Sequence, residues 1–181
     1  MSVARALVGF VHFGLALVLS VVVIYVTYRV FILANPDFDM EAEIRNGNTA
    51  VGALVGAILV AAAMILKNGM SSVMTMVRLR LLAPAESGFS LERLVWLAAA
   101  HLTLSLLMAV LTISITLRAF GRLSRRRGWR PGEELQKNNV AVGVLLAAVV
   151  IIAAMYVGDG VGALSSSLLP QPTMGHIQIM R

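Results

Sequence analysis

The sequence predicts an all-α integral membrane protein with four transmembrane helices, arranged as two tandem two-helix repeats in parallel orientation. Two observations lead to this fold class: four long apolar segments, and polar residues that recur at a fixed offset along the chain. Of the 181 residues, 59% are hydrophobic and only 13% are charged, whereas soluble domains are about 45–50% apolar and about 25% charged. The composition therefore indicates lipid as the solvent.

Four segments are long enough to cross a bilayer. A transmembrane helix needs about 20 apolar residues, because the hydrocarbon core is about 30 Å thick and a helix rises about 1.5 Å per residue. The candidate segments cover approximately residues 7–33, 49–66, 94–117 and 140–157. We expect helices, since backbone groups in lipid must pair within their own segment.

The ends of the predicted spans follow from proline, from charged residues and from a candidate helix cap. Asn35-Pro36 should end the first span, because proline disfavours the helical region for the residue before it; the span is too long for a signal peptide, so we expect it to be uncleaved. Segment 70–82 carries Arg78 and Arg80 and is too short to span, which favours an interfacial location. Ser90 is a candidate N-cap for the third helix. We therefore divide the chain into a first hairpin repeat (1–69), an interfacial linker (70–91), a second hairpin repeat (92–160) and a C-terminal tail (161–181).

An internal repeat is the most informative feature of the chain. At an offset of 91 residues, Glu43 matches Glu134, Asn48 matches Asn139, Ala50 matches Ala141 and Gly52 matches Gly143. At an offset of 89 residues, His12 matches His101 and Arg29 matches Arg118. Polar identities at fixed spacing in apolar helices are hard to obtain by chance. Since each unit contains two helices, both copies should have the same orientation, related by an axis along the membrane normal.

The distribution of lysine and arginine predicts the topology. Nine of these residues fall on the side of the hairpin loops and six on the side of the termini. Because an excess of Lys and Arg in short loops marks the cytoplasmic side, we expect cytoplasmic hairpin loops and periplasmic termini.

The motif Glu-x-x-x-x-Asn-x-Ala-x-Gly, which starts at Glu43 and again at Glu134, resembles the domain-of-unknown-function 350 family of YjfL-like bacterial inner-membrane proteins. The resemblance covers about residues 7–160 and implies a two-helix unit present twice, in the bacterial inner (cytoplasmic) membrane. Genes of this family often lie near those of phage-shock-type membrane-remodelling proteins and ATP-grasp ligases, which implies a role in envelope maintenance or membrane stress. The chain departs from the pattern in Val140, in its longer linker and in its basic second loop.

Two sets of repeated residues lie where the second and fourth helices begin. Asn48 and Asn139 are either N-caps or, with Glu43 and Glu134 nearby, part of an anion-attracting site at paired helix N-termini. Small residues at a four-residue spacing let helices approach closely in lipid. These candidate packing residues are Gly52, Gly56, Gly143 and Ala147; they would join helices within one chain or between subunits.

His12 and His101 are ionisable residues inside predicted spans, where such groups are costly. They are either neutral imidazoles that bridge helices or a symmetric proton or metal site. Two ligands without a carboxylate make a poor metal site, so we predict no metal.

The second hairpin loop carries a basic cluster. Its members are Arg118, Arg122, Arg125, Arg126, Arg127 and Arg130. Beside a bilayer, such a cluster favours anionic lipid over nucleic acid; an acidic cytoplasmic protein, such as a membrane-remodelling partner, is the alternative ligand.

No catalytic constellation, P-loop or zinc-ligand spacing occurs in the sequence, and it contains no cysteine. We therefore expect no enzyme activity and no cofactor. Two function classes remain open. One is a non-catalytic inner-membrane scaffold or partner subunit that forms a homo-oligomer. The other is an oligomeric channel or transporter for ions or small solutes, with the Asn and His pairs lining its path.

Overall fold

A computed structural model describes residues 3–32, 38–82 and 90–167, and within these ranges all regular structure is helical. The elements are α1 (Val3–Thr27), which continues as a π-helical turn (Tyr28–Ile32), α2 (Met40–Arg45), α3 (Thr49–Leu82), α4 (Leu91–Arg126), α5 (Pro131–Gln136) and α6 (Val140–Ser167). A long helix, a six-residue helix and a second long helix therefore follow one another twice.

The four long helices are long and apolar enough to cross a membrane. The candidate spans are Ala6–Ile32, Thr49–Leu81, Leu91–Arg126 and Val140–Ala163. The prediction of an all-helical, multi-pass membrane protein is thereby confirmed.

The third element differs from the sequence expectation, because segment 70–82 is part of α3 and forms no separate interfacial segment. Gly69 does not break the helix: glycine costs only about 1 kcal/mol relative to alanine inside a helix, and here it allows close contact with Ser105. Beyond Gly69, Val73 and Met76 are buried in a cluster with Val8 and Leu94. The 34 residues of α3 extend about 51 Å at about 1.5 Å per residue, which is longer than the hydrocarbon core.

The last helix is also longer than expected. The sequence predicted a tail from residue 161, whereas α6 continues to Ser167. At Gly158 an added Cβ would lie 2.9 Å from the amide nitrogen of Asn68, so this glycine allows close contact between α6 and α3. The predicted helix end at Asn35-Pro36 and the tail after Ser167 lie outside the described residues.

Helix α3 is the centre of the described structure. Its buried residues Ala50, Leu54, Ile58, Ala61 and Ile65 recur at steps of three or four and form one helix face. Helix α6 packs along α3 most extensively, while α1 and α4 cover other parts of it, and α2 and α5 both contact α3. The two hairpin turns therefore lie beside one another at one end of the helices.

Candidate functional site

The turn between α2 and α3 is fixed by residues of the repeated motif. Helix α2 begins after Asp39, whose carboxylate accepts a 3.0 Å hydrogen bond from the N–H of Ala42. The helix is followed by Gly47 with a φ of 81°, and the N–H of Asn48 then donates to the carbonyl of Glu43 at 2.9 Å, as in a Schellman motif. This backbone brings the two side chains together, so that Nδ2 of Asn48 donates to Oε2 of Glu43 at 2.7 Å.

The turn between α5 and α6 has the same hydrogen bonds 91 residues later. The N–H of Asn139 donates to the carbonyl of Glu134 at 3.0 Å, and Nδ2 of Asn139 donates to Oε2 of Glu134 at 2.9 Å. Asn138, with a φ of 57°, takes the left-handed position that Gly47 has in the first turn.

Both motif asparagines cap the long helix that follows them. Oδ1 of Asn48 accepts from the N–H of Val51 at 3.0 Å, and Oδ1 of Asn139 accepts from the N–H of Val142 at 3.4 Å. This is N-cap geometry, which satisfies one of the N–H groups left unpaired at a helix start. In both turns the amide also binds the glutamate of its own motif, so the negative charge beside the helix start comes from the chain itself.

Hydrogen bonds join the two turns in one direction only. Nδ2 of Asn48 donates to the carbonyl of Leu135 at 2.7 Å, and Oδ1 of Asn138 accepts from Oγ1 of Thr49 at 2.9 Å and from the N–H of Ala50 at 3.1 Å. The start of α3 thus docks on the second turn. Among the described residues, the start of α6 makes no corresponding bond to the first turn.

Electrostatic interactions in the second turn favour the ionised form of its glutamate. Hydrogen bonds from Asn139 and Lys137 lower the pKa of the Glu134 carboxyl. The same carboxylate, 2.9 Å from Nζ of Lys137, raises the pKa of that ammonium group. The second turn therefore carries a charged pair at neutral pH.

The predicted packing residues lie in different surroundings. Gly143 is buried, and a Cβ added there would lie 2.5 Å from the Ala50 carbonyl oxygen. Gly52 and Gly56 are exposed, and an added Cβ would meet no atom within 4 Å at either position. Ala147 is half-buried. Close approach of α3 and α6 therefore uses Gly143, while Gly52 and Gly56 face away from the helices of the described chain.

A cavity of about 780 Å³ opens between the second turn, α3, α4 and the end of α1. Four arginines of the basic cluster line it: Arg118, Arg122, Arg125 and Arg130. The first three recur at steps of four and three, which places them on one face of α4. Among the described residues, the only carboxylate on the wall is that of Glu133, 3.0 Å from the Arg130 guanidinium. Arg126 and Arg127 are exposed and belong to a different part of the surface.

Five apolar side chains of the cavity wall are buried or half-buried, and we call them its floor, whereas the four arginines are exposed. Leu54 and Ile58 of α3, Leu146 of α6, Leu117 of α4 and Phe31 line it. A positive rim over an apolar floor matches a molecule with an anionic head and an apolar body, because arginine binds phosphate and carboxylate oxygens through its planar fork of donors.

Residues 5–161 match the model of the family described as Domain of Unknown Function (DUF350). The chain belongs to this family. The resemblance read from the repeated motif is thereby confirmed. No curated protein and no solved structure matches the chain.

The two intramembrane histidines of this DUF350 protein do not share an environment. His12 is exposed on α1, whereas His101 is 4% exposed, and its carbonyl accepts a 2.9 Å bond from Oγ of Ser105. Nδ1 of His101 has no hydrogen-bond partner among the described residues. Among the described residues, no group of three or more His, Cys, Asp or Glu side chains is placed to hold a metal ion.

Sequence reasoning missed two components of the site in this DUF350 chain. Asn138 accepts hydrogen bonds from two residues of α3, but its counterpart at an offset of 91 is Gly47, so the repeat gave no signal. The apolar floor combines Leu54, Leu117 and Leu146 from three helices, which only the tertiary structure brings together. The arginine face of α4 was detectable from its helical spacing.

Proposed function

We propose that this protein is a non-catalytic scaffold of the bacterial inner membrane that assembles with itself and binds anionic phospholipid at the arginine-rimmed cavity. The observation that carries the proposal is the position of Arg118, Arg122 and Arg125 above an apolar floor. Membership of the DUF350 family supports the scaffold role in the inner membrane, and the proximity of the two turns brings the residues of the cavity wall together. A role in envelope maintenance or membrane stress fits a protein that binds anionic lipid and recruits a membrane-remodelling partner.

We propose that the two halves are tandem duplicates in parallel orientation. The support is the repeated order of the helices and the equivalent hydrogen bonds from Asn48 to Glu43 and from Asn139 to Glu134. Both turns lie at the same end of the helices, as parallel repeats require.

We place the hairpin turns in the cytoplasm and both termini in the periplasm. The turn side carries nine of the 15 lysines and arginines, and positive residues mark the cytoplasmic side. A periplasm-active reporter fused after Arg181 should therefore be active, and the same reporter inserted at Gly128 inactive. The reverse pattern would put the arginine cavity in the periplasm.

The lipid site is tested by removing two charges from the cavity. The full chain is reconstituted in nanodiscs with equal amounts of phosphatidylglycerol and phosphatidylcholine. The protein is then extracted into detergent, and native mass spectrometry measures which lipid stays bound to it. Arg118→Gln with Arg122→Gln should weaken phosphatidylglycerol binding about 30-fold, since each charge near an anionic headgroup contributes about 1 kcal/mol and about 1.4 kcal/mol is tenfold.

Arg126→Gln with Arg127→Gln is the matched control, because it removes two charges of the same cluster outside the cavity. It should retain phosphatidylglycerol as the wild type does. Equal losses in both variants would mean that the cluster acts only as diffuse charge. Full lipid retention by the cavity variant would overturn the lipid site and favour an acidic protein as the ligand of the arginines.

A further inference from the structure

The contact between the two halves uses one surface of each half and leaves the equivalent surfaces uncovered. In the first half, the residues in and just before α3 that approach the second half include Asn48, Ala50, Asn68 and Gly69. In the second half, the residues that they approach include His101, Ser105, Leu135, Gly143 and Gly158. These nine residues are buried except Asn68, which is half-buried, whereas Thr49 and Asn138, which also join the halves, are exposed.

This contact has two ends. At the turn end, Asn48 donates to the Leu135 carbonyl, and Ala50 lies against Gly143. At the other end, the backbone of Gly69 lies against Ser105, and the Asn68 amide lies 2.9 Å from where a Cβ of Gly158 would be. The halves therefore touch both at the turns and around Asn68 and Gly69.

The second half carries its own version of the α3 surface. At an offset of 91 the residues are Asn139, Ala141, Asp159 and Gly160; we call them the outgoing surface. All are exposed or half-buried, and an added Cβ at Gly160 would meet no atom within 4 Å. Among the described residues, Nδ2 of Asn139 makes only one hydrogen bond, whereas Nδ2 of Asn48 makes two.

The first half carries its own version of the receiving surface. At offsets of 91 and 89 the residues equivalent to those of the second half are Ile44, Gly52, Lys67, Ala16 and His12. From here on, the name receiving surface means these five residues of the first half. Ala16 is half-buried and the other four are exposed. Each of the nine contact residues named above therefore has a more exposed counterpart.

Placing the outgoing surface of one chain against the receiving surface of another also pairs opposite charges. Asn68 and Gly158 approach each other inside the chain. Their counterparts are Asp159 on the outgoing surface and Lys67 on the receiving surface, and both are exposed. A contact built like the one inside the chain would thus bring a carboxylate to an ammonium group, which adds specificity between copies.

We infer that a second copy of this chain docks head to tail, with the outgoing surface of one copy on the receiving surface of the next. The inference rests on the proposed scaffold function and names its partner. Head-to-tail contacts form closed rings or open rows, according to the rotation between neighbours. The second half of each chain would then contact the first half of the next chain, as the two halves contact each other within one chain.

Single cysteines test this contact cleanly, because the chain has no cysteine of its own. Asp159→Cys in one tagged copy and Ser71→Cys in a differently tagged copy are co-expressed, and the membranes are oxidised. Their counterparts inside the chain are Asn68 and Gly162, where an added Cβ would lie 3.8 Å from the Asn68 Cβ, a separation that suits a disulfide. Both positions are exposed and already carry a side chain, so neither cysteine adds bulk to a tight contact. The expected product is a crosslinked pair that carries both tags, at about twice the 19.3 kDa of one chain.

A second pair reports on the opposite end of the same contact. Val140→Cys with Gly47→Cys reproduces the contact of Thr49 with Asn138, whose Oγ1 and Oδ1 atoms lie 2.9 Å apart, and should also give a product with both tags. Asn138 shows that a residue with a side chain can hold the backbone conformation of Gly47. Ile115→Cys, exposed on α4 and outside both surfaces, replaces Ser71→Cys in the control and should leave the copies uncrosslinked.

Three outcomes would overturn the inference: no product from either pair at wild-type protein levels, equal product from the Ile115 control, or efficient crosslinking of Ser71→Cys copies to one another. The last result would mean a two-fold interface. Lipid retention is measured on the same variants, so that failure of the head-to-tail contact and failure of the lipid-binding scaffold give different results.

Discussion

The turn before α3 and the turn before α6 share their hydrogen bonds but not their surroundings. Asn48 is 6% exposed and binds the opposite half, whereas Asn139 is half-buried and binds only its own half. The same contrast extends along the helices, since 56% of the most apolar stretch of α3 is buried, against 22% in α6. The two motif turns therefore have the same local structure, while the neighbours of each turn decide whether it is covered.

Adding one methyl group to each of two equivalent glycines should give opposite effects on stability. Gly143→Ala places a Cβ 2.5 Å from the Ala50 carbonyl oxygen, so backbone must move, and we expect a loss of about 2–3 kcal/mol in the free energy of unfolding. Gly52→Ala meets no atom and should stabilise the monomer by up to about 1 kcal/mol, because alanine favours helix.

The measurement is SDS-induced unfolding of each monomeric variant in mixed micelles. Similar losses at both positions would show that α3 and α6 also touch through Gly52. No loss at Gly143 would show that the close approach to Ala50 does not stabilise the fold.

Replacing each motif asparagine by alanine should lower the free energy of unfolding by different amounts, and this difference should be smaller than the one between the two glycine variants. Asn48→Ala removes a cap and leaves the buried Leu135 carbonyl without its 2.7 Å donor, so we expect a loss of about 2–3 kcal/mol. Asn139→Ala removes a longer, 3.4 Å cap bond at a half-buried site and should cost about 1 kcal/mol. Unfolding titrations of the two variants in one detergent check this; equal losses would contradict the difference in their environments.

The sequence predicted what depends on local spacing. The four spans followed from apolar length, and N-capping was one of the two roles expected for Asn48 and Asn139. The basic cluster was expected in a hairpin loop, whereas α4 continues to Arg126 and places Arg118, Arg122 and Arg125 on one helix face.

What the sequence could not predict depends on contacts between distant segments. Gly69 reads as a possible helix end, yet α3 continues to Leu82, because Ser105 of another helix packs against it. Gly52 and Gly143 are the same residue in the same motif, so no local rule distinguishes the exposed one from the buried one. The cavity likewise needs floor residues from α3, α4 and α6.

The second half presents an uncovered copy of the surface through which the first half contacts it. Native mass spectrometry of the full chain in nanodiscs shows whether a second chain binds there, with Asp159→Lys as the disrupting variant and Asp159→Lys with Lys67→Asp as the restoring one. We expect two or more wild-type chains per particle, single chains for Asp159→Lys because like charges then face each other, and restored assemblies for the double variant. Single wild-type chains at every protein concentration, or assemblies that Asp159→Lys leaves unchanged, would contradict this expectation.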